Sequence, residues 1–164
     1  MSHLDRLKSK IYENAIELST VLNAVRSEKR IVFTNGCFDI LHRGHVTYLN
    51  RARDLGDLLV VAVNSDASVK RLKGPTRPIH SAQDRAYVLA ALACVDYVIL
   101  FHEDTPTETI RILKPHLHTK GGDYRIEDLP EKRALDEYGG SIVLIPFVDG
   151  YSTSTIIEKM GTIQ

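Results

Sequence analysis

Two histidines three residues apart, His42 and His45, close the run Phe33-Thr34-Asn35-Gly36-Cys37-Phe38-Asp39-Ile40-Leu41-His42-Arg43-Gly44-His45, which follows directly on the apolar Ile31 and Val32. At that spacing both imidazoles share one face at the start of a helix. Gly36 allows the backbone to pass close to a ligand, and Gly44 lets a helix begin without a side chain crowding an anion. Imidazoles in that place can donate hydrogen bonds to phosphate oxygens and stabilise charge as it builds on a transferring phosphorus. The chemistry they point to is transfer of a phosphoryl or nucleotidyl group. Two other readings are a structural histidine pair, and a two-histidine metal site in which Asp39 is the adjacent carboxylate and a third ligand is missing.

The elements around this run alternate between strand and helix. Apolar runs at 31–33, 58–63, 95–100 and 142–146 read as buried strands, with a shorter one near 116–118. Helical stretches follow at 46–53, 83–92, 105–113 and 129–138, and Thr153 or Ser154 can cap a last helix through Met160. The first thirty residues carry Leu4, Leu7, Ile11, Ala15, Leu18, Leu22 and Val25 at helical spacing, an amphipathic N-terminal segment. This alternation predicts one α/β domain over 1–164, a Rossmann-like open parallel sheet of about five strands with helices on both faces. Ligands of such sheets gather at the carboxyl ends of the strands, where the loops carrying 34–45, Asn64 to Asp66, Lys120 to Asp123 and Asp149 to Ser154 all fall. Neither GxxxxGK[ST] nor GxGxxG occurs, which argues against a P-loop kinase and a dinucleotide dehydrogenase.

Composition narrows the partners. Twenty-one basic and 21 acidic residues in 164 give no net charge, so wholesale nucleic-acid binding has no support. Cys37 and Cys94 are too few for a disulfide framework and fit a reducing compartment. No window has the apolar length of a membrane span, and the start lacks the order of a secretory signal, so a cytoplasmic protein is expected.

The run from Gly36 to His45 matches the GxFDxxHxGH signature of the cytidylyltransferase-like nucleotidyltransferases, and Tyr151-Ser152-Thr153-Ser154 is similar to their late ST[ST] motif. Within that superfamily several segments resemble the adenylyltransferase domain of ADP-heptose synthases. These are Asn35, Arg71 to Gly74 with Arg77-Pro78, Lys120-Gly121-Gly122-Asp123-Tyr124, and Val148 to Ser154. Some relatives carry an arginine just before the late motif, where this chain has Val148, Asp149 and Gly150. The ribokinase-like sugar kinase often fused ahead of that domain is not in this sequence, so a free-standing enzyme is expected.

The resemblance implies an HxGH-type adenylyltransferase joining ATP and D-glycero-beta-D-manno-heptose 1-phosphate into ADP-heptose and pyrophosphate, for lipopolysaccharide or surface-sugar synthesis. It implies that Phe33, Thr34, Asn35, Gly36 and Phe38 line the nucleotide cleft, that His42 and His45 bind the phosphates, and that Lys73 is a mobile cation following moving charge. Lys73 also reads as a plain exposed lysine beside Lys70 and Arg71, and Arg85 either as a phosphate ligand or as a brace for carboxylates. Gly121 and Asp123 would meet base or ribose, unless they form a simple turn, and Ser152, Thr153 and Ser154 would cradle the triphosphate at a helix start. Mg²⁺ is expected to arrive mainly on the substrate phosphates, and the resemblance implies a homodimer. The alternatives are a cytidylyltransferase acting on glycerol 3-phosphate or a similar small phosphate, and a catalytically silent nucleotide-binding regulatory module.

Overall fold

The computed structural model of the chain describes residues 1–161. Six parallel strands, β1 (Ile11–Tyr12), β2 (Ile31–Gly36), β3 (Leu58–Asn64), β4 (Tyr97–Phe101), β5 (Leu117–Gly121) and β6 (Ser141–Ile145), form one sheet in the order β1-β4-β3-β2-β5-β6. The helices are α1 (His3–Lys8), α2 (Ala15–Asn23), α3 (Arg43–Arg53), α4 (Asp66–Lys73), α5 (Ala82–Ala90), α6 (Thr107–Leu113), α7 (Glu131–Asp136) and α8 (Thr153–Gly161). None is long and apolar enough to cross a membrane among the described residues.

Both faces of the sheet are covered, so its central strands are apolar on both sides, and every residue of β3 is buried. On one face Val32, Val61, Val63 and Leu100 pack against Leu49 and Ala52 of α3 and Ala86 and Leu89 of α5. On the other, Phe33, Val60, Ala62 and Ile99 meet Leu18 and Leu22 of α2, Ile110 and Leu113 of α6, and Ala134 and Leu135 of α7.

The N-terminal thirty residues are not one continuous amphipathic helix. Ser2 and Asp5 form a reciprocal cap on α1, Asn14 caps α2, and Ile11 and Tyr12 between them pair with Val98 and Ile99 as an edge strand. Their apolar spacing fits a helix locally, but the backbone groups of β4's free edge offer a partner that local periodicity does not register.

Chain order decides where a ligand can sit. From β2 the chain moves outward through β3 to β4, then crosses back to place β5 on the opposite side of β2. The order therefore reverses between β2 and β5, which opens a crevice above their carboxyl ends.

Candidate active site

His42 is the N-cap of α3, and its Nδ1 accepts a hydrogen bond from the backbone N–H of His45 at 3.4 Å. With the Nδ1 lone pair turned to the backbone, the ring proton is assigned to Nε2. The His42 and His45 rings stack with centroids 3.8 Å apart and 20° between planes, and Phe38 meets His45 edge-on at 5.3 Å. Burial, and then the neighbouring His42, pushes His45 down to about 4, and burial also lowers His42. Both rings are therefore neutral at pH 7, so each contributes an N–H donor rather than a fixed positive charge. Nδ1 of His45 is enclosed, and hydrogen bonding of the ring with the Ile40 backbone draws its pKa partly back up.

A second helix start lies against the first. Tyr151 stacks on His42 at 6.1 Å, and the Thr153 hydroxyl donates to the Ile40 carbonyl at 3.4 Å. Ser152 Oγ accepts from the Thr155 N–H at 3.1 Å, so the first turn of α8 is capped beside the first turn of α3. Gly44 is required where these meet, because a Cβ there would stand 2.9 Å from both His42 Nδ1 and Tyr151 Cβ. Two adjacent helix starts bring free backbone N–H groups and the positive ends of two dipoles to one place, an arrangement suited to a polyanion.

The loop between β2 and α3 is held from below. Asp39 is buried and its carboxylate accepts from Arg77 Nε at 2.6 Å, from the Ile79 N–H at 2.9 Å and from the His80 N–H at 3.0 Å. Burial pushes this carboxyl up, but the His80 and Ile79 N–H groups and the Arg77 guanidinium more than offset it and hold it below the usual range. Arg85, 2% exposed, donates to the carbonyls of Cys37, Asn64 and His80 and to the Asp66 carboxylate. All three of its guanidinium nitrogens are engaged inside the protein, so of the two readings of Arg85 the structure takes the brace: it staples together the loops that follow β2, β3 and α4.

Some residues expected in the cleft are elsewhere. Phe33 is fully buried against His118 on the α2 face, and Thr34 is fully buried with its hydroxyl bonded to Tyr48 Oη at 2.8 Å and to the Thr119 carbonyl at 3.2 Å. Neither side chain lines a cleft, because a strand covered on both faces turns every side chain into the core until its last residues. Asn35 and Gly36, at the end of β2, are half-buried, and the Asn35 Oδ1 is enclosed without a partner among the described residues. Phe38, at φ +46°, packs beneath the site and its ring lies where a Cβ at Gly36 would be.

Lys73 ends α4, is exposed, and makes no ion pair or hydrogen bond among the described residues. Its charge reaches Cys37, whose thiol is pushed up by burial and drawn back by Lys73, Arg85 and Arg77. Gly121 closes β5, and Asp123 just beyond it is exposed and makes no ion pair or hydrogen bond among the described residues. Ser154 is exposed on the first turn of α8. Tyr48 and Phe147, which both lie against Gly121 at the end of β5, were not singled out by the sequence, and Tyr151 was read only as the first residue of the late motif, not as the ring that stacks on His42. The signal available for Phe147 was an aromatic residue in a loop just ahead of a hydroxyl-rich helix start.

No cluster of three or more His, Cys, Asp or Glu able to hold a metal occurs among the described residues. The one carboxylate beside the histidines, Asp39, is saturated by its donors.

Comparison with known proteins agrees with this geometry. A family model described as cytidylyltransferase-like matches residues 33–159, most of the chain. The chain belongs to the cytidylyltransferase-like family. It is 54% identical over 161 residues to the bifunctional protein HldE of Pelobacter propionicus, covering 98% of this chain and 33% of that protein. It is 52% identical over 154 residues to the bifunctional protein HldE of Helicobacter hepaticus, covering 94% of this chain and 31% of that protein. The chain thus spans about a third of the length of these curated relatives. Among solved structures, the lipopolysaccharide core biosynthesis protein from Thermoplasma volcanium superimposes with a TM-score of 0.61 at 32% identity, covering 76% of this chain and 99% of that one. Family membership extends from β2 through most of α8, so the paired helix starts and the β2–β5 crevice lie within the matched region.

Proposed function

We propose that this chain is an adenylyltransferase that joins ATP and a heptose 1-phosphate, D-glycero-beta-D-manno-heptose 1-phosphate, to give ADP-heptose and pyrophosphate. The observation that carries this reading is the stacked, neutral His42 and His45 pair at the start of α3, with the start of α8 against it. The similarity to HldE proteins and to a lipopolysaccharide core biosynthesis protein supports the heptose class of acceptor.

A phosphate oxygen of the sugar 1-phosphate attacks the α-phosphorus of ATP. The bond from that phosphorus to the bridging oxygen breaks, and pyrophosphate leaves with the electron pair. The nucleophile is already an anion near neutral pH, so no base has a proton to remove and no covalent enzyme intermediate forms. The work left to the protein is positioning and electrostatics. His42 Nε2–H donates to phosphate oxygen, and the N–H groups and hydroxyls of Ser152, Thr153 and Ser154 receive the β- and γ-phosphates. Lys73, unengaged and on a flexible stem, follows the charge as it passes to the leaving pyrophosphate. Mg²⁺, when bound, would arrive with the triphosphate and supply charge screening at the phosphates that His42, Lys73 and Ser152 to Ser154 receive. The enzyme acts as a homodimer and binds neither nucleic acid nor membrane.

The test is pyrophosphate release with Mg²⁺, crossing ATP and CTP against heptose 1-phosphate anomers, hexose 1-phosphates and glycerol 3-phosphate, with His45→Ala as control. Release with ATP and the beta-heptose phosphate, lost in His45→Ala, is the expected result. Turnover with CTP and glycerol 3-phosphate would replace the reading with a cytidylyltransferase, and nucleotide binding without turnover on any acceptor would replace it with a regulatory module.

A further inference from the structure

We propose that Phe147 is the aromatic wall of the base site: the nucleotide base lies on the backbone of Gly121 and Gly122, with the Phe147 ring stacked over its outer face. This rests on the nucleotidyltransferase reading and names the residue that would hold the base.

The strand register delivers Phe147 to this place. Gly121 pairs with Ile145, and the Gly122 N–H donates to the Ile145 carbonyl at 3.2 Å, so the chain leaving β6 returns directly over the two glycines. A Cβ on Gly121 would come within 2.8 Å of the Phe147 ring, and one on Gly122 within 2.6 Å. The ring therefore rests on bare backbone, in space that any side chain at either position would fill. Gly122 has φ +114°, a conformation that independently favours glycine. Beside the Phe147 ring, at the same Gly121 Cβ position, Tyr48 stands 3.3 Å away, its hydroxyl fixed to Thr34 at 2.8 Å and to Thr119 at 3.1 Å. The floor is thus bare glycine backbone with a pinned tyrosine ring at its side.

Phe147 itself is 70% exposed, although it is a large apolar side chain with one face on that floor. A flat ring on a flat glycine surface can give way to another flat ring and close over it, gaining the second contact face it lacks here. The same loop runs on within five residues to Ser152 and the start of α8, so the wall for the base and the cradle for the phosphates lie on one short segment. Asp123, exposed next to Gly122, can accept from an exocyclic amine. Adenine and cytosine both carry such an amine and both present a π-face, so the Phe147 contact sets affinity without choosing between them.

The chain has no tryptophan, so Phe147→Trp introduces a single indole whose emission reports on the wall. ATP is expected to quench that emission, and inorganic tripolyphosphate, which has no base, is not. In calorimetric titrations Phe147→Ala should weaken ATP binding about tenfold, the scale of one lost base stack, with tripolyphosphate binding unchanged and Phe147→Tyr close to wild type. Equal ATP affinity in wild type and Phe147→Ala would overturn the proposal, as would equal losses for ATP and tripolyphosphate, which would make Phe147 a loop-packing residue only. If the wild type binds CTP instead of ATP and Phe147→Ala loses it tenfold, the adenylyl reading fails and the aromatic wall stands. Normal ATP turnover with affinity unmoved in Phe147→Ala is the converse result.

Discussion

Replacing Asp39 by Asn should separate the electrostatic brace from the shape of the loop it holds. The Asp39 side chain is 1% exposed and that of Arg77 15%, with 2.6 Å between carboxylate and guanidinium, and the same carboxylate takes the N–H groups of Ile79 and His80. Asparagine preserves the volume and one acceptor but turns an amide donor toward groups that are all donors. Removing one partner of a buried pair costs about 3–5 kcal/mol, and the partial exposure of Arg77 places the expected loss near the lower end, about 3 kcal/mol. In a chain of this size that lowers Tm by about 6–12 °C. Because the folded-state carboxyl titrates below its unfolded value, the unfolded chain takes up the proton first as pH falls. The stabilisation is therefore fully present above about pH 4 and lost below it, so the Asp39→Asn penalty should be level from pH 7 to 5 and shrink only in stronger acid. Thermal melts of Asp39→Asn, Arg77→Met and the double variant measure this. The double variant should cost less than the sum of the two singles by about 2 kcal/mol. A Tm change below about 2 °C in Asp39→Asn, or strictly additive losses, would refute the brace.

His42→Asn retains a good N-cap while withdrawing the imidazole N–H, so pyrophosphate release should fall about 100-fold or more with stability held within about 1 kcal/mol. A parallel collapse in Tm would instead make His42 a structural cap. Burial holds His45 and His118 down to about 4, so between pH 6.5 and 4 the unfolded chain binds more protons than the folded one and stability falls on acidification. Urea unfolding should show a loss from pH 7 to pH 5 of about 2 kcal/mol for each imidazole, and His118→Leu should remove about half of that slope; a flat profile would refute it. Gly122→Ala, at φ +114° and 2.6 Å from the Phe147 ring, should destabilise by about 1–3 kcal/mol, with the steric share recovered in a Phe147→Ala background.

What the sequence made legible is what is local. The strand, the turn and the histidines of 31–45 form a contiguous segment, and His42 caps α3 as their spacing anticipates. The hydroxyls of 152–154 fall at a helix start for the same reason. What stayed hidden depends on partners distant in sequence. Phe33 and Thr34 belong to a strand apolar on both faces, whose composition cannot say that His118 and Tyr48 will enclose them. Arg85 was legible as a cation on an apolar helix, but three of its four acceptors are backbone carbonyls, at Cys37, Asn64 and His80, which no residue type announces. The two kinds of residue divide the labour accordingly. Groups proposed to face substrate occupy the ends of helices and strands, where short motifs can specify them. The buried Asp39 and Arg85 fix those ends relative to one another, through bonds that exist only once β2, β3 and the start of α5 have been brought together. A substitution in the first class should therefore be read in turnover with the fold intact, and one in the second in stability and turnover together.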